Sequence, residues 1–437
     1  MEANPGLGTE EEASARTKGS DGFWKALGPG LVTGAADDDP SGIGTYSQVG
    51  AQFGFGLSWS LLFSLPFMVV IQDVAAQIGS VTGRGISANL RRYYPRPLLW
   101  GAVALLLFAN VINLGADLSA MGAAMEMLIG GPIVAYTLAF GILCLLLEIF
   151  LSYRRYSAIL KFTTLSLFAY VAVVFVVRVP WGEAIRGVLI PHVQWTAAFA
   201  TGFVAILGTT ISPYLFFWQA AQEVEEEKRH HSKPLYVTPA RAGPEMARIR
   251  QDTLVGMIFS NLVAIFIVFA AAATLHANGV TSIDTATQAA QALQPVAGRF
   301  AFVLFAVGII GTGLLAVPVL AGSAAYAVSE MVGTRASLDS KPTAARLFYG
   351  TIAITTLAGA LLQQIGLNPV KALYWSAVIN GLLAAPLMAI MMLIVRNKRA
   401  MGRLTLGRRA TVLGWGATLL MLAATLLFFA FALLRPH

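Results

Sequence analysis

Eleven apolar runs, each long enough to cross a bilayer, constrain this chain more than any other feature of its sequence. A helix needs about 20 predominantly apolar residues to span the hydrocarbon core of a membrane, and 57% of the 437 residues are hydrophobic. Since lipid leaves unpaired backbone groups unsatisfied, such runs must form helices. We therefore predict an all-α integral membrane protein with spans at about residues 27–51, 54–80, 97–128, 131–152, 157–178, 197–221, 251–276, 296–328, 345–364, 370–395 and 410–434.

Basic residues fall in alternate loops and predict the orientation of the chain. The loops after the second, fourth, sixth, eighth and tenth spans are rich in Lys and Arg, whereas the intervening loops are poor in both or short. By the positive-inside rule the basic loops are cytoplasmic. The N-terminus is then inside and the C-terminus outside, as in a multi-pass protein of a bacterial-type inner (plasma) membrane. The net charge of +8 therefore indicates contact with membrane lipid and not with nucleic acid.

The N-terminus of the chain and its single cysteine set further limits. Residues 1–21 are polar, lack the layout of a signal peptide and are predicted to form a disordered cytosolic tail. Residues 22–437 then form a single transmembrane domain. Cys144 is the only cysteine, which excludes a disulfide within the chain. We expect a monomer that carries no cofactor.

The first span contains three carboxylates, a proline and a glycine near its middle, in the stretch Asp37-Asp38-Asp39-Pro40-Ser41-Gly42. A charge at membrane depth costs several kcal/mol and is usually retained for function. Proline removes a backbone donor and glycine tolerates any φ, so we predict that the helix breaks here. Carboxylates beside freed carbonyls form the hard-oxygen kind of site that suits a cation. The alternative is that Asp37 and Asp38 are solvated acids at a helix end.

The sixth span repeats this arrangement in the stretch Gly208-Thr209-Thr210-Ile211-Ser212-Pro213-Tyr214. It is the first helix of a second block of five, just as span one is the first helix of the first block. Because five is odd, the second block enters from the opposite side, which makes the blocks at about 27–178 and 197–395 an inverted repeat. Interrupted helices at matching positions of such repeats indicate a transport site at the membrane midplane. The span at about 410–434 is an additional helix.

Several motifs of the chain resemble the Nramp family of divalent-metal transporters. They are the stretch from Gly28-Pro29-Gly30 through Asp39-Pro40-Ser41-Gly42, then Gly50-Ala51-Gln52-Phe53-Gly54, Val81-Thr82-Gly83-Arg84, Asp117-Leu118 and Gly311-Thr312-Gly313. The resemblance covers most of the chain. It implies the LeuT-type fold of the APC superfamily, a 5+5 inverted repeat in which helices one and six are broken.

The chain departs from the family pattern at the residues that the resemblance links to metal and proton transport. Asp39 is kept, but Gly42 stands where typical members have a ligating Asn. Ser212 replaces the Met whose thioether favours transition metals. Tyr214 replaces a His linked to proton movement, and Ala120 stands in place of an acid linked to proton transfer. Together these changes predict a site with harder ligands, more space and fewer direct contacts to the ion.

The departures resemble the Nramp-related magnesium transporters, a branch that has lost the transition-metal motif. That resemblance implies uptake of Mg²⁺, and also of Mn²⁺, without proton coupling. Mg²⁺ usually keeps several of its waters and needs a wide, oxygen-lined site, so we expect it to be bound largely hydrated. The predicted metal site consists of Asp39, Gly42, Thr209, Ser212 and Asn380. The predicted vestibule or supporting residues are Asp38, Tyr214 and Asp117.

Other interpretations of the sequence stay open. The first is a proton-coupled symporter of transition metals, Mn²⁺ or Fe²⁺, with relaxed ligands. A second is a cation-coupled symporter of organic solutes, although such a site normally presents a helix N-terminus to a substrate carboxylate. An enzyme is not favoured, because the sequence shows no nucleophile with its base, no phosphate-binding loop and no zinc motif. Asn380 also suits hydrogen bonding between helices, and Asp73 is predicted to be an interhelical partner.

Overall fold

The computed structural model describes residues 29–150, 163–362 and 366–433, and the regular structure in these ranges is helical. Short 3-10 turns at Thr163–Leu167, Pro239–Arg241, His276–Asn278 and Gly298–Phe300 adjoin the helices. The α-helices are α1 Pro29–Asp37, α2 Pro40–Phe53, α3 Ser58–Thr82, α4 Ile86–Tyr93, α5 Arg96–Ile129, α6 Ile133–Phe150, α7 Phe168–Val176, α8 Trp181–Leu189, α9 Ala197–Thr210, α10 Pro213–Arg229, α11 Ala242–Thr274, α12 Ala286–Gln291, α13 Gln294–Ala297, α14 Ala301–Val332, α15 Arg346–Leu362, α16 Pro369–Arg396, α17 Lys398–Met401 and α18 Arg408–Leu433.

The predicted spans correspond to helices of the structure. In the described ranges, eight helical stretches are long and apolar enough to cross a membrane, and two shorter apolar helices lie at Leu165–Val176 and Arg346–Leu362. With the broken pair α1 and α2, these account for the eleven predicted spans. The predicted tail at residues 1–21 and the start of the fifth span lie outside the described residues. The boundaries of the two repeats stay a prediction.

The main differences from the predicted spans lie where helices continue beyond the apolar runs. Helix α10 extends to Arg229 and α11 begins at Ala242, whereas the predicted spans end at 221 and begin at 251. Glu, Lys and Arg are good helix formers, so these helices continue through charged residues that an apolar window does not count. Helix α8 was not predicted, because its nine residues are too few to span a membrane.

Close backbone contacts hold the two broken spans in the bundle. Helix α9 packs against α16 at two glycines. A Cβ on Gly208 would overlap the carbonyl oxygen of Ala377, and a Cβ on Gly381 would lie 2.6 Å from the carbonyl oxygen of Val204. Small residues allow such approach between membrane helices. Helix α1 packs against α11, and the N–H of Gly30 donates to Asp252 Oδ2 at 2.7 Å. These contacts fix the two breaks relative to their neighbours.

Candidate cation site at the two helix breaks

The first break lies between α1 and α2, as predicted from Pro40 and its neighbours. Asp39 is the N-cap of α2, with an extended backbone at φ −71° and ψ 170°. Its Oδ1 accepts a hydrogen bond of 2.6 Å from the N–H of Gly42. Pro40 occupies the first position of α2, where no backbone donor is needed. The cap places the Asp39 carboxylate at the positive end of the α2 dipole.

The other carboxylate oxygen of Asp39 contacts spans three and six. Asn113 Nδ2, on α5, donates to Asp39 Oδ2 at 3.1 Å. The Tyr214 hydroxyl, on α10, lies 3.1 Å from Asp39 Oδ2 and 3.0 Å from the carbonyl oxygen of Ala36, so its one proton is shared between them. Asp39 is only 3% exposed. The buried carboxylate therefore links three spans of the bundle through its hydrogen bonds.

The second break lies between α9 and α10. Ser212 is the N-cap of α10, but its hydroxyl donates to the carbonyl oxygens of Gly208 and Thr209, at 2.8 and 3.0 Å. The hydroxyl proton of Ser212 is thus used by carbonyl oxygens at the end of α9. Only the lone pairs of the Ser212 oxygen remain for a substrate or for the waters of that substrate. Thr209 is buried beside the first break.

Gly42 marks a small space lined by oxygen atoms, here called the oxygen recess. A Cβ built on Gly42 would lie 3.2 Å from the carbonyl oxygen of Asp37, 3.2 Å from Thr209 Oγ1 and 3.4 Å from Asp39 Oδ1. These three oxygens come from both broken spans. Carbonyl, hydroxyl and carboxylate oxygens are the ligands that hard cations prefer. With no side chain at Gly42, one carboxylate oxygen and two neutral oxygens surround this position, and even a methyl group here would make tight contacts.

Two further predicted residues reach Asp39 indirectly. Asp117 Oδ1 accepts a 3.1 Å hydrogen bond from the N–H of Ser41, so this acid supports the first turn of α2. Asn380 Nδ2 donates to Asn113 Oδ1 at 3.4 Å, and Asn113 in turn donates to Asp39. Asp117 and Asn380 thus lie one contact away from the Asp39 carboxylate.

Asp37 and Asp38 are buried and not solvated at a helix end. Both carboxylates face the hydroxyl of Ser260 on α11, with Oδ2 of Asp37 at 2.7 Å and Oδ1 of Asp38 at 3.2 Å. One hydroxyl proton cannot satisfy both carboxylates at once. Their remaining oxygens, Asp37 Oδ1 and Asp38 Oδ2, have no hydrogen-bond partner among the described residues.

The acids around the breaks lack basic partners. Within residues 29–150, 163–362 and 366–433, no Lys, Arg or His forms an ion pair with the four acids at the breaks, Asp37, Asp38, Asp39 and Asp117. Within those same ranges, no three His, Cys, Asp or Glu side chains converge so as to hold a metal ion directly. A buried charge without a partner costs several kcal/mol. A cation near the breaks would offset that cost.

Two residues of the site were missed in the sequence. Asn113 precedes Asp117 by four residues, so both lie on one face of α5, and this spacing could have identified it. Ser260 lies in an apolar span, and no motif in the adjacent sequence indicates that it belongs to the site. Only the packing of α11 against α1 brings it to Asp37.

Comparison with known proteins identifies the family. The family model "Natural resistance-associated macrophage protein-like" (Nramp) matches residues 30–430. The divalent metal cation transporter MntH of Klebsiella pneumoniae is 25% identical over 401 residues, which cover 89% of this chain and 90% of that protein. MntH of Deinococcus radiodurans is 26% identical over 405 residues, which cover 89% of this chain and 86% of that protein.

Solved structures share the fold. A crystal structure of the Eremococcus coleocola manganese transporter superposes with a TM-score of 0.73 at 17% identity, covering 93% of this chain and 87% of that one. The nucleobase-cation symporter Mhp1 gives a TM-score of 0.53 at 16% identity, covering 94% of each chain. A Na⁺-coupled sialic acid symporter gives 0.57 at 10% identity, covering 93% of this chain and 90% of that one. The LeuT-type fold is thereby confirmed, and the chain belongs to the Nramp family.

Proposed function

We propose that this protein is a secondary transporter that takes up divalent cations, Mg²⁺ first and Mn²⁺ as well, and is not an enzyme. The observation that carries the proposal is the buried Asp39 carboxylate, which lies beside the oxygen recess at the junction of both breaks. Discontinuous helices near the midplane are the usual site of substrate binding in this architecture. Relatives named as divalent metal cation transporters support the cation class.

The ligand chemistry favours a hard, hydrated ion. Asp39 supplies one carboxylate, and the atoms nearest to the Gly42 recess are oxygens. The positions of the family's thioether and imidazole carry Ser212 and Tyr214, which offer oxygen only. Mg²⁺ is usually held through one or two carboxylates and retained waters. In this proposal Thr209, Ser212 and Asn380 hold waters of the ion, while Asp38 and Asp117 strengthen the negative field.

The same residues support transport without proton coupling. Two positive charges that move inward gain about 4.6 kcal/mol per 100 mV of membrane potential, which is sufficient to drive uptake. The histidine and the second acid that the family resemblance links to proton movement are absent at Tyr214 and Ala120.

The second candidate is a proton-coupled transporter of Mn²⁺ or Fe²⁺. It is favoured by the Eremococcus coleocola manganese transporter, whose structure superposes along most of the chain, and by the retention of Asp39 and Asp117. In this case acid outside the vesicle stimulates Mn²⁺ uptake, and Mg²⁺ neither enters nor competes.

Competition for Mn²⁺ uptake tests the proposal. Proteoliposomes that contain a Mn²⁺-sensitive dye are supplied with Mn²⁺ and increasing Mg²⁺, and we expect Mg²⁺ to suppress the signal. Asp39→Ala is expected to abolish uptake while the protein still folds. The matched control is Asp284→Asn, which removes a half-exposed acid paired with Lys371 and should leave uptake unchanged. Full uptake by the Asp39 variant would refute the assigned site.

A further inference from the structure

A groove of about 890 Å³ opens on the protein surface away from the two breaks. It lies between α3, the start of α11 and the segment that connects α17 to α18. None of the residues predicted to bind or support the cation lines it. In the predicted orientation this segment follows the tenth span and is cytoplasmic, so the groove opens toward the inner leaflet.

The mouth of the groove is strongly basic. Its charged lining residues are four arginines, Arg250, Arg403, Arg408 and Arg409, against one acid, Asp73. Asp73 already has partners, because Gln77 Nε2 donates to its Oδ2 at 2.8 Å and Arg250 Nε lies 3.8 Å from the same oxygen. Arg403, Arg408 and Arg409 are exposed. The positive charge therefore exceeds what the acid of the groove can balance.

The position of two of these arginines is itself unfavourable. Arg408 and Arg409 are the first two residues of α18, a 26-residue helix with no acidic residue in its first turn. A helix N-terminus carries partial positive charge and is stabilised by anions, whereas cations there are repelled. Two arginines at this end, beside Arg403, are therefore matched best by an anion in the groove.

The inner walls of the groove are apolar. They include Leu65 and Val69 of α3, Leu254 of α11 and Leu413 of α18. Leu254 and Leu413 are 41% and 42% exposed. A basic mouth that continues into a partly exposed apolar wall between membrane helices matches a ligand with an anionic head and hydrocarbon chains.

We propose that this groove binds the phosphate head group of an anionic phospholipid from the cytoplasmic leaflet. The arginines hold the phosphate, with guanidinium groups that match its geometry, and the apolar wall holds the adjoining acyl chains. This site is independent of the cation site, so it does not depend on the proposed function.

Lipid binding to the purified, delipidated full-length protein in neutral detergent tests this proposal. Native mass spectrometry measures the affinity for phosphatidylglycerol and for phosphatidylcholine with the same acyl chains, and we expect selective binding of phosphatidylglycerol. A triple variant, Arg403→Gln with Arg408→Gln and Arg409→Gln, should bind it at least roughly tenfold more weakly. The matched control replaces the exposed residues Arg335, Lys341 and Arg346 with Gln and should bind like the native protein.

The other outcomes would overturn the proposal. Equal affinity for phosphatidylcholine would refute a role of the anionic head group. An equal loss of phosphatidylglycerol affinity in the groove variant and in the control variant would indicate unspecific attraction by surface charge. Displacement of phosphatidylglycerol by an equal concentration of inorganic phosphate would indicate a site for the free anion. If the triple variant does not fold, the single variants Arg403→Gln and Arg409→Gln replace it, and native affinity in both would refute the role of these arginines.

Discussion

The substitution Gly42→Ala probes the oxygen recess with a single methyl group. Its Cβ would lie 3.2 Å from the Asp37 carbonyl oxygen, 3.2 Å from Thr209 Oγ1 and 3.4 Å from Asp39 Oδ1. These distances are tight, so the neighbouring atoms must shift by a few tenths of an ångström to accommodate the methyl group. If Thr209 and Asp39 hold a water of the hydrated ion in the oxygen recess, as the proposed site implies, the methyl group enters the space of that water.

The expected effects on stability and on ion binding differ. In a helix, alanine is more favourable than glycine by about 1 kcal/mol, and this gain offsets the tight contacts, so the free energy of unfolding should change by less than about 1 kcal/mol. The loss of one hydrogen-bonded water from the ion's shell should cost about 1–3 kcal/mol. The affinity for Mg²⁺ should then fall by roughly fivefold to 150-fold.

Isothermal titration with Mg²⁺, together with thermal melting, measures both effects. The matched control is Gly101→Ala, since a Cβ on Gly101 meets no atom within 4 Å, and it should bind Mg²⁺ like the native protein. Gly42→Asn restores the amide of typical family members and should raise the affinity for Mn²⁺ relative to Mg²⁺. Native Mg²⁺ affinity in a folded Gly42→Ala variant would refute the assignment of the recess to the ion's water shell.

Three further substitutions test other contacts of the site. Tyr214→Phe removes a donor to the buried Asp39 carboxylate and should lower the free energy of unfolding by about 1–3 kcal/mol. Added Mg²⁺ should raise the stability of this variant by more than it raises that of the native protein. An equal response to Mg²⁺ in both proteins would contradict this. Asn113→Leu should weaken Mg²⁺ binding by roughly tenfold. The control Asn110→Leu loses hydrogen bonds to Leu320 and Ser323 on α14 and should reduce stability only. Equal Mg²⁺ affinity in the two variants would argue against a special role of Asn113. Ser212→Met restores a thioether and should raise the affinity for the soft ion Cd²⁺ in the same titrations, and an unchanged Cd²⁺ affinity would place this side chain away from the ion.

The membrane spans and both breaks could be predicted because their causes are local in the sequence. Apolar length determines a span, and Pro40 and Pro213 begin the second halves of the two broken helices as predicted. The end of α10 at Arg229 could not be obtained from apolar length, since there the helix runs through charged residues. Helix α8 was too short for the same criterion.

The candidate site was predictable only in part, because side-chain direction depends on packing. The acids, proline and glycine around Asp39 made it a candidate in the sequence, and its contact with Tyr214 follows from the meeting of two broken spans. The orientation of Ser212 toward the carbonyl oxygens of Gly208 and Thr209 depends on a rotamer that the sequence does not specify. The convergence of Asp37 and Asp38 on Ser260 depends on the packing of α11 against α1.

Influx of Mg²⁺ into proteoliposomes, with the internal pH followed in parallel, tests the central claim most directly. A negative internal potential is imposed, and the native protein is compared with Asp39→Ala. We predict Mg²⁺ influx without internal acidification, competition by Mn²⁺, and no influx in the variant. Influx of Mn²⁺ with acidification, while Mg²⁺ is excluded, would contradict the account and indicate a proton-coupled transition-metal transporter.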